Sequence, residues 1–269
     1  MQLHSSNLKI GTTPLANAVK LGVAILGIEF AIMLVIEGVF VPLFGAQVTP
    51  FFWEFLDPVL LAVIVAPVLH LWVLRPMKEA EAQILRLAFY DPLTQLPNRR
   101  LLDDRLTQAL AESKRSGRYG AVMFLDLDNF KPLNDVHGHA AGDLLLMEVA
   151  RRLKACVREI DSVARFGGDE FVVLVSDLSA DREESISQVG VIAEKLRHSL
   201  AAPYWIKVKH AGKPDAMVEH QCSASIGIVV FIKQDADGTD LLKWADAAMY
   251  QAKDAGRNAI QFYHDNPQA

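Results

Sequence analysis

The chain has 269 residues and a net charge of −5, enough for one soluble domain of ordinary size and a smaller unit. Dedicated nucleic-acid-binding proteins usually carry a basic excess, so the mild negative charge excludes that class and no nucleic-acid partner is expected. The two cysteines, Cys156 and Cys222, lack the spacing of a metal site or a disulfide framework, and we expect two buried thiols.

Residues 1–74 are predicted to form a membrane segment with two transmembrane helices, at about 21–44 and 55–74. Both runs are almost purely apolar, and a helix of about 20 residues spans a bilayer. The first run is too long for a cleaved signal peptide, and a second run follows it. Lysines and arginines flank the pair but are missing from the connecting loop, which predicts cytoplasmic termini. Glu29 lies within the first span, and we hypothesise that it contacts another helix or senses a signal.

Residues 75–90 are predicted to form a helix that links the membrane segment to the rest of the chain. The sequence is rich in strong helix formers, and its apolar residues fall on or near one stripe. Such a segment is either a plain surface helix or a signalling helix that pairs with its copy in a dimer, and its position favours the second interpretation.

A buried strand is predicted at Tyr119–Asp128, where an apolar run ends in two alternating acids. Side chains alternate between the faces of a strand, so Asp126 and Asp128 lie on one face and Leu127 on the other. A polar loop is predicted over 129–139, and an amphipathic helix over 141–159.

A β-hairpin is predicted over 163–175, with Gly167 and Gly168 in its turn. Paired glycines between two apolar runs indicate a tight turn, since glycine reaches positive φ at little steric cost. They also allow a ligand to approach the backbone closely. The acids Asp169 and Glu170 follow at the tip of the hairpin.

The remaining elements predict an α+β sandwich, with a central, mostly antiparallel five-stranded sheet flanked by helices. Helices are expected over 182–200 and 239–255, and strands over 204–209, 218–231 and 259–263. Mononucleotide- and dinucleotide-binding glycine motifs are missing from the sequence. Acids from two neighbouring strands suit two-metal phosphoryl or nucleotidyl transfer with Mg²⁺. These residues alone leave a nucleotidyl transferase and a nucleotide-binding regulatory domain equally open.

Five ordered motifs give residues 91–265 a resemblance to the GGDEF domain of diguanylate cyclases. They are Asp91–Arg100, Asp126–Lys131, Asn134–Asp143, Gly167–Phe171 and Tyr250–Asn258. The resemblance implies a palm-like nucleotidyl cyclase that condenses two GTP molecules into cyclic di-GMP and releases two pyrophosphates. It also implies an antiparallel homodimer, because each domain holds one GTP.

The resemblance assigns roles to individual residues, and we expect two Mg²⁺ or Mn²⁺ ions per active site. The metals would be held by Asp126, the Leu127 carbonyl, Asp169 and Glu170, with Asp169, Glu170 and Lys131 as the catalytic group. Asn134 and Asp143 would read the guanine edge. The remaining GTP contacts would come from Asn129, Phe130, Lys131, Gly167, Gly168, Lys253 and Arg257.

Arg158 and Asp161 form an RxxD motif five residues before the signature, which resembles the family's inhibitory site for its own product. The stretch 204–223 is longer and more polar than the family's usual hairpin, and we expect an extended tip around 211–214. Rival interpretations are a catalytically silent GTP- or cyclic di-GMP-binding regulatory domain and a cyclase with a mixed purine product. The whole chain is expected to be a multi-pass protein of the bacterial inner membrane.

Overall fold

The computed structural model describes residues 14–44, 59, 62–208, 216–232 and 237–264. The chain divides into two compact units, 1–83 and 84–269. In the first unit, helix α1 spans Pro14–Val35 and continues through a π-helical turn, Ile36–Phe40, into Val41–Phe44. Within it, Gly22–Val39 has a mean hydropathy of 2.1 and is the one candidate membrane span among the described residues.

The second predicted span, 55–74, lies partly outside the described residues. Its described portion is helical over 62–69 and ends in a π-helical turn, His70–Leu74. Helix α2, Arg75–Phe89, then covers the predicted linker helix and buries none of its side chains. The two-span hairpin and the pairing of the linker helix in a dimer stay predictions.

The second unit alternates helices and strands. Its helices are α3 Arg99–Ser116, α4 Phe130–His137, α5 His139–Cys156, α6 Arg182–Ala201 and α7 Gly238–Asp254. Its strands are β1 Gly120–Asp128, β2 Ser162–Gly167, β3 Glu170–Val175, β4 Tyr204–Val208, β5 Ala216–His220, β6 Ser223–Phe231 and β7 Ile260–Phe262.

The central sheet has five strands in the order β2-β3-β1-β6-β7. The pairs β2–β3, β3–β1 and β1–β6 are antiparallel, whereas β6 and β7 are parallel. This confirms the predicted α+β class with a central sheet flanked by helices, in which the strand orientation is mixed. Strands β4 and β5 pair with each other in a separate two-stranded sheet.

The sheet is buried on both faces, and β1 shows how its sequence achieves this. Ala121, Met123 and Leu125 point into one apolar cluster, covered mainly by α5 and α6. Val122 and Phe124 point into the opposite cluster, covered by α3 and α7. A strand covered on both faces needs apolar side chains at successive positions, which explains the uninterrupted apolar run.

Two local predictions are corrected by the structure. Residues 129–139 are not a polar loop, because most of them form helix α4. Asn129 precedes α4 in a left-handed conformation, with φ of 61°, and Pro132 lies in the first turn, where its missing N–H costs no hydrogen bond. Helix α5 ends at Cys156 rather than at residue 159, because Val157 is extended.

The other local predictions have three different outcomes. The hairpin over 163–175 is confirmed as β2 and β3. Both cysteines are free and buried, as predicted. The expected hairpin tip around 211–214 lies outside the described residues.

Candidate active site

The β1–β3 pairing brings the predicted acids together at one end of the sheet. Asp126 on β1 lies directly opposite Glu170 on β3. The Leu127 N–H donates to the Asp169 carbonyl at 3.3 Å, which fixes the turn against the end of β1. Gly168 has a φ of +47°, in the left-handed region. The turn therefore uses the conformational freedom that the paired glycines predicted.

A partly buried lysine contacts one of the acids at this end of the sheet. The Lys253 Nζ lies 2.9 Å from Asp126 Oδ2, and their side chains are 24% and 14% exposed. Burial raises the pKa of Asp126, against the opposing effect of Lys253, and Asp169 and Asp128 raise it further. Burial also raises the pKa of Glu170, with Asp126 the next cause. The acids repel one another, so this cluster favours a bound cation.

The donors at this end of the sheet suit a divalent metal that the substrate helps to coordinate. Within the described residues, no three Asp, Glu, His or Cys side chains lie close enough together to hold a metal. Mg²⁺ is commonly bound by one or two carboxylates, with substrate phosphates completing the shell. Asp126, Asp169 and the Leu127 carbonyl fit this pattern of hard oxygen donors.

An amide oxygen between α4 and α5 has no hydrogen-bond partner among the described residues. The Asn134 Oδ1 is buried and accepts no hydrogen bond from the described residues. A side chain at Gly142 would overlap this oxygen, so only glycine leaves room for the amide. Asp143, the other predicted base reader, follows Gly142 and is exposed. A buried carbonyl oxygen without a donor is an acceptor that a ligand or an ordered water can satisfy.

The predicted phosphate contacts occupy exposed positions. Lys131 lies in the first turn of α4, directly after Asn129 and Phe130, and is exposed. Arg257 follows α7, is exposed, and has a φ of 65°. Among the described residues neither side chain is ion-paired with an acid, which leaves both charges available to an anion.

Arg165, which sequence reasoning missed, holds the glycine turn in place through hydrogen bonds. Its guanidinium donates to the Gly168 carbonyl at 2.7 and 3.0 Å. It also contacts both carboxylate oxygens of Asp91, at 3.1 and 3.2 Å. The Thr94 N–H and hydroxyl donate to Asp91 at 2.7 Å. Asp91 and Arg165 lie 74 residues apart, so only the fold reveals this contact.

Asp246, a second residue that sequence reasoning missed, adds negative charge from α7. It is one of the charges that raise the pKa of Glu170, after burial and Asp126. Asp246 and Lys253 are seven residues apart, about two helical turns, and therefore share one face of α7. This spacing was a usable signal in the sequence.

The RxxD motif lies apart from the acids, at the start of β2. The Asp161 carboxylate accepts from the backbone N–H of Arg158 at 2.9 Å and of Ser176 at 3.3 Å. The Arg158 side chain is exposed. A cavity of about 480 Å³ is lined by Arg158, Asp161 and also Arg105. Arg105 had not been singled out from the sequence.

The comparisons with known proteins agree on one family. The family model described as diguanylate cyclase, GGDEF domain, matches residues 88–259. The bifunctional diguanylate cyclase/cyclic di-GMP phosphodiesterase MucR of Pseudomonas aeruginosa is 45% identical over 193 residues, 72% of this chain. The match covers 26% of MucR, so the chain spans about a quarter of the length of this curated relative.

Two solved structures share the fold. The coiled coil and GGDEF domain of DgcB from Caulobacter crescentus, in complex with c-di-GMP, superposes with a TM-score of 0.61 at 26% identity. The match covers 75% of this chain and 99% of that one. The GGDEF domain of TpbB from P. aeruginosa gives a TM-score of 0.57 at 38% identity, over 65% of this chain and 94% of the other.

Proposed function

Because the chain belongs to the GGDEF family of diguanylate cyclases, we propose that it condenses two GTP molecules into cyclic di-GMP with release of two pyrophosphates. The observation that carries the proposal is the cluster at the end of β1. There Asp126 lies opposite Glu170, and Lys253 reaches Asp126. A silent regulatory domain needs no such set of partly buried, mutually repelling acids.

In this proposal the residues divide into three groups. Asp126, Asp169, Glu170 and the Leu127 carbonyl hold the metals. Two Mg²⁺ or Mn²⁺ ions, when bound, would offset the negative charge on the phosphoryl oxygens and make the 3′-hydroxyl more acidic. Lys131, Lys253 and Arg257 bind the triphosphate and neutralise it. Gly167 and Gly168 let the nucleotide approach the turn, beside Asn129 and Phe130.

The base is selected by Asn134 and Asp143. The unpartnered Asn134 Oδ1 would accept from the guanine edge, and the Asp143 carboxylate would accept from N1–H and the 2-amino group. Adenine lacks this donor pair, so its binding would leave Asp143 unpaired at a cost of about 1–3 kcal/mol. This preference supports GTP as the substrate and disfavours a mixed purine product.

One domain holds one GTP, so the active form is an antiparallel homodimer of two half-sites. Each 3′-hydroxyl attacks the α-phosphate of the other GTP, and pyrophosphate leaves. The chain is anchored in the bacterial inner membrane by two helices with cytoplasmic termini, and helix α2 sets the dimerisation equilibrium. The candidate span Gly22–Val39 supports the anchor.

Product feedback is the second part of the proposal. Arg158 and Asp161 line a cavity of about 480 Å³ that is separate from the acid cluster. Cyclic di-GMP would bind there through its phosphates, with Arg105 as a further cation on the same cavity wall. The complex of DgcB with c-di-GMP supports product binding by this fold.

The deciding experiment incubates the purified full chain with GTP, ATP and Mg²⁺ and identifies the products by mass. Cyclic di-GMP and pyrophosphate are expected, and both should vanish with EDTA and in Asp126→Asn. Binding of GTP or cyclic di-GMP without any cyclic dinucleotide, at high protein concentration, would instead establish a silent binding domain.

A further inference from the structure

The carboxylate of Asp128 lies at the end of β1 and is almost fully buried, with 3% of the residue exposed. Three groups donate hydrogen bonds to it. Ser223 Oγ donates to Oδ2 at 2.6 Å and Ser225 Oγ to Oδ1 at 2.8 Å. The third donor is the backbone N–H of Asn258, at 3.0 Å from Oδ2. A buried carboxylate is costly unless its oxygens accept hydrogen bonds. Asp128 therefore holds its three donors in place.

The third donor comes from a strained turn after α7. Gly256, Arg257 and Asn258 have φ values of 114°, 65° and 45°. The left-handed conformation costs a non-glycine residue about 1–3 kcal/mol and persists only where its surroundings hold it. Two residues hold Asn258 through three hydrogen bonds. Its N–H bonds to Asp128, and its carbonyl and side-chain oxygens accept from Arg197 at 3.3 and 3.0 Å.

This turn carries one of the cations that the proposed function assigns to the triphosphate and directly follows a second. Arg257 lies within it, and its own N–H bonds back to the Ala252 carbonyl at 3.2 Å. Lys253 occupies the last turn of α7 and contacts Asp126. Asp128 is two residues from Asp126 on the same strand, so β1 supplies both the proposed metal ligand and the anchor of the turn.

We propose that Asp128 is a positioning residue for triphosphate binding: it locks the turn 256–258 so that Arg257 faces the phosphates beside Lys253. The inference rests on the proposed function and deepens it, because it assigns the substrate's triphosphate group to a segment held by a buried carboxylate. Asp128 itself does not touch the substrate.

The test measures binding rather than turnover, with the purified full chain. 3′-Deoxy-GTP lacks the attacking hydroxyl and reports on the whole nucleotide, whereas GMP reports on the base and sugar without the triphosphate. Asp128→Ala removes the acceptor of the Asn258 N–H and should raise the Kd for 3′-deoxy-GTP at least tenfold. The Kd for GMP should stay within twofold of the wild-type value.

The conservative variant and a matched control separate positioning from general stability. Asp128→Asn keeps one oxygen for the Asn258 N–H, and its amide can donate to Ser225, so its Kd for 3′-deoxy-GTP should return to within threefold of wild type. Ser185→Ala removes another fully buried polar group, on α6. It should lower Tm without changing the ratio of the two Kd values.

Several results would overturn the inference. One is a Kd of Asp128→Ala for 3′-deoxy-GTP within twofold of wild type. Another is an equal rise in the Kd values for 3′-deoxy-GTP and for GMP. If Asp128→Ala does not fold, Arg197→Ala serves as the second test, because it removes the hydrogen bonds from Arg197 to Asn258 in the same turn. In Arg197→Ala, a rise of at least threefold in the Kd for 3′-deoxy-GTP but not for GMP supports the proposal, and an unchanged Kd refutes it. A wild-type chain that binds 3′-deoxy-GTP but makes no cyclic product would overturn only the proposed function.

Discussion

Replacing Gly142 by alanine should displace the Asn134 amide without replacing any residue proposed to bind the nucleotide. A Cβ built at this position overlaps the Asn134 Oδ1 and lies 2.9 Å from Cγ and 3.1 Å from Nδ2. A Cβ atom does not lie this close to atoms to which it is not bonded, so the Asn134 amide must rotate away from residue 142. The hydrogen bonds that Asn134 would make to guanine are then lost.

The expected magnitude follows from the burial of this amide. Loss of one partner of a buried hydrogen bond costs about 1–3 kcal/mol, which corresponds to about a 5- to 150-fold change in an equilibrium constant. Asn134 would contact the base equally in the ground state and the transition state. The KM for GTP should therefore rise by this factor, while kcat at saturation stays near the wild-type value.

The assay is steady-state pyrophosphate release by the full chain over a range of GTP concentrations. Gly190→Ala is the matched control, because Gly190 is also helical and its added Cβ would meet only Phe262, at 4.0 Å. Both variants gain about 0.5–1 kcal/mol of helix propensity. Only Gly142→Ala should raise KM.

A double variant identifies the route of the effect. In an Asn134→Ala background there is no amide to displace, so adding Gly142→Ala should change KM little further. A KM of Gly142→Ala within twofold of wild type would refute the reasoning. So would two additive effects, which would show that Gly142 acts independently of Asn134.

Three further perturbations test other contacts. Arg165→Gln leaves the partly buried Asp91 carboxylate without its cation and should lower the free energy of unfolding by about 1–3 kcal/mol, measured by denaturant titration; an unchanged midpoint would show that the contact between Arg165 and Asp91 is dispensable. The pKa of Glu148 is lowered from 4.5 to about 2, chiefly by Arg151, so its contribution to stability is complete above pH 4.5 and is lost as the pH falls towards 2. Glu148→Gln should remove this part of the acid dependence in thermal melts, whereas an unchanged pH profile would contradict the assignment. Arg158→Ala should keep making cyclic di-GMP after wild-type turnover has slowed; an equal decline as product accumulates would argue against a feedback site there.

The features that the sequence predicted well depend on local patterns. The run of apolar residues before Asp126 identifies a strand buried on both faces, and its end fixes where that acid lies. The glycine pair 167–168 predicts a tight turn from its backbone freedom alone. The class of the fold follows because such elements alternate along the chain.

The features that the sequence did not reveal depend on contacts between distant positions. Helix α4 was predicted as a loop because the segment is short and polar, and its first turn contains a proline. In the sequence, Arg165 looks like an ordinary strand residue, and only the fold shows its contact with Asp91. Asp128 looks equivalent to Asp126 in the alternating pattern, and only the approach of Ser223, Ser225 and Asn258 distinguishes the two.

The last turn of α2 is tied closely to the loop that carries Asp91. The Asn98 side chain donates to the Ala88 carbonyl at 2.9 Å, and the Asn98 N–H donates to the Phe89 carbonyl at the same distance. From Phe89 the path to the glycine turn needs only Asp91 and Arg165. The end of α2 and the glycine turn are therefore linked through two side chains, Asp91 and Arg165.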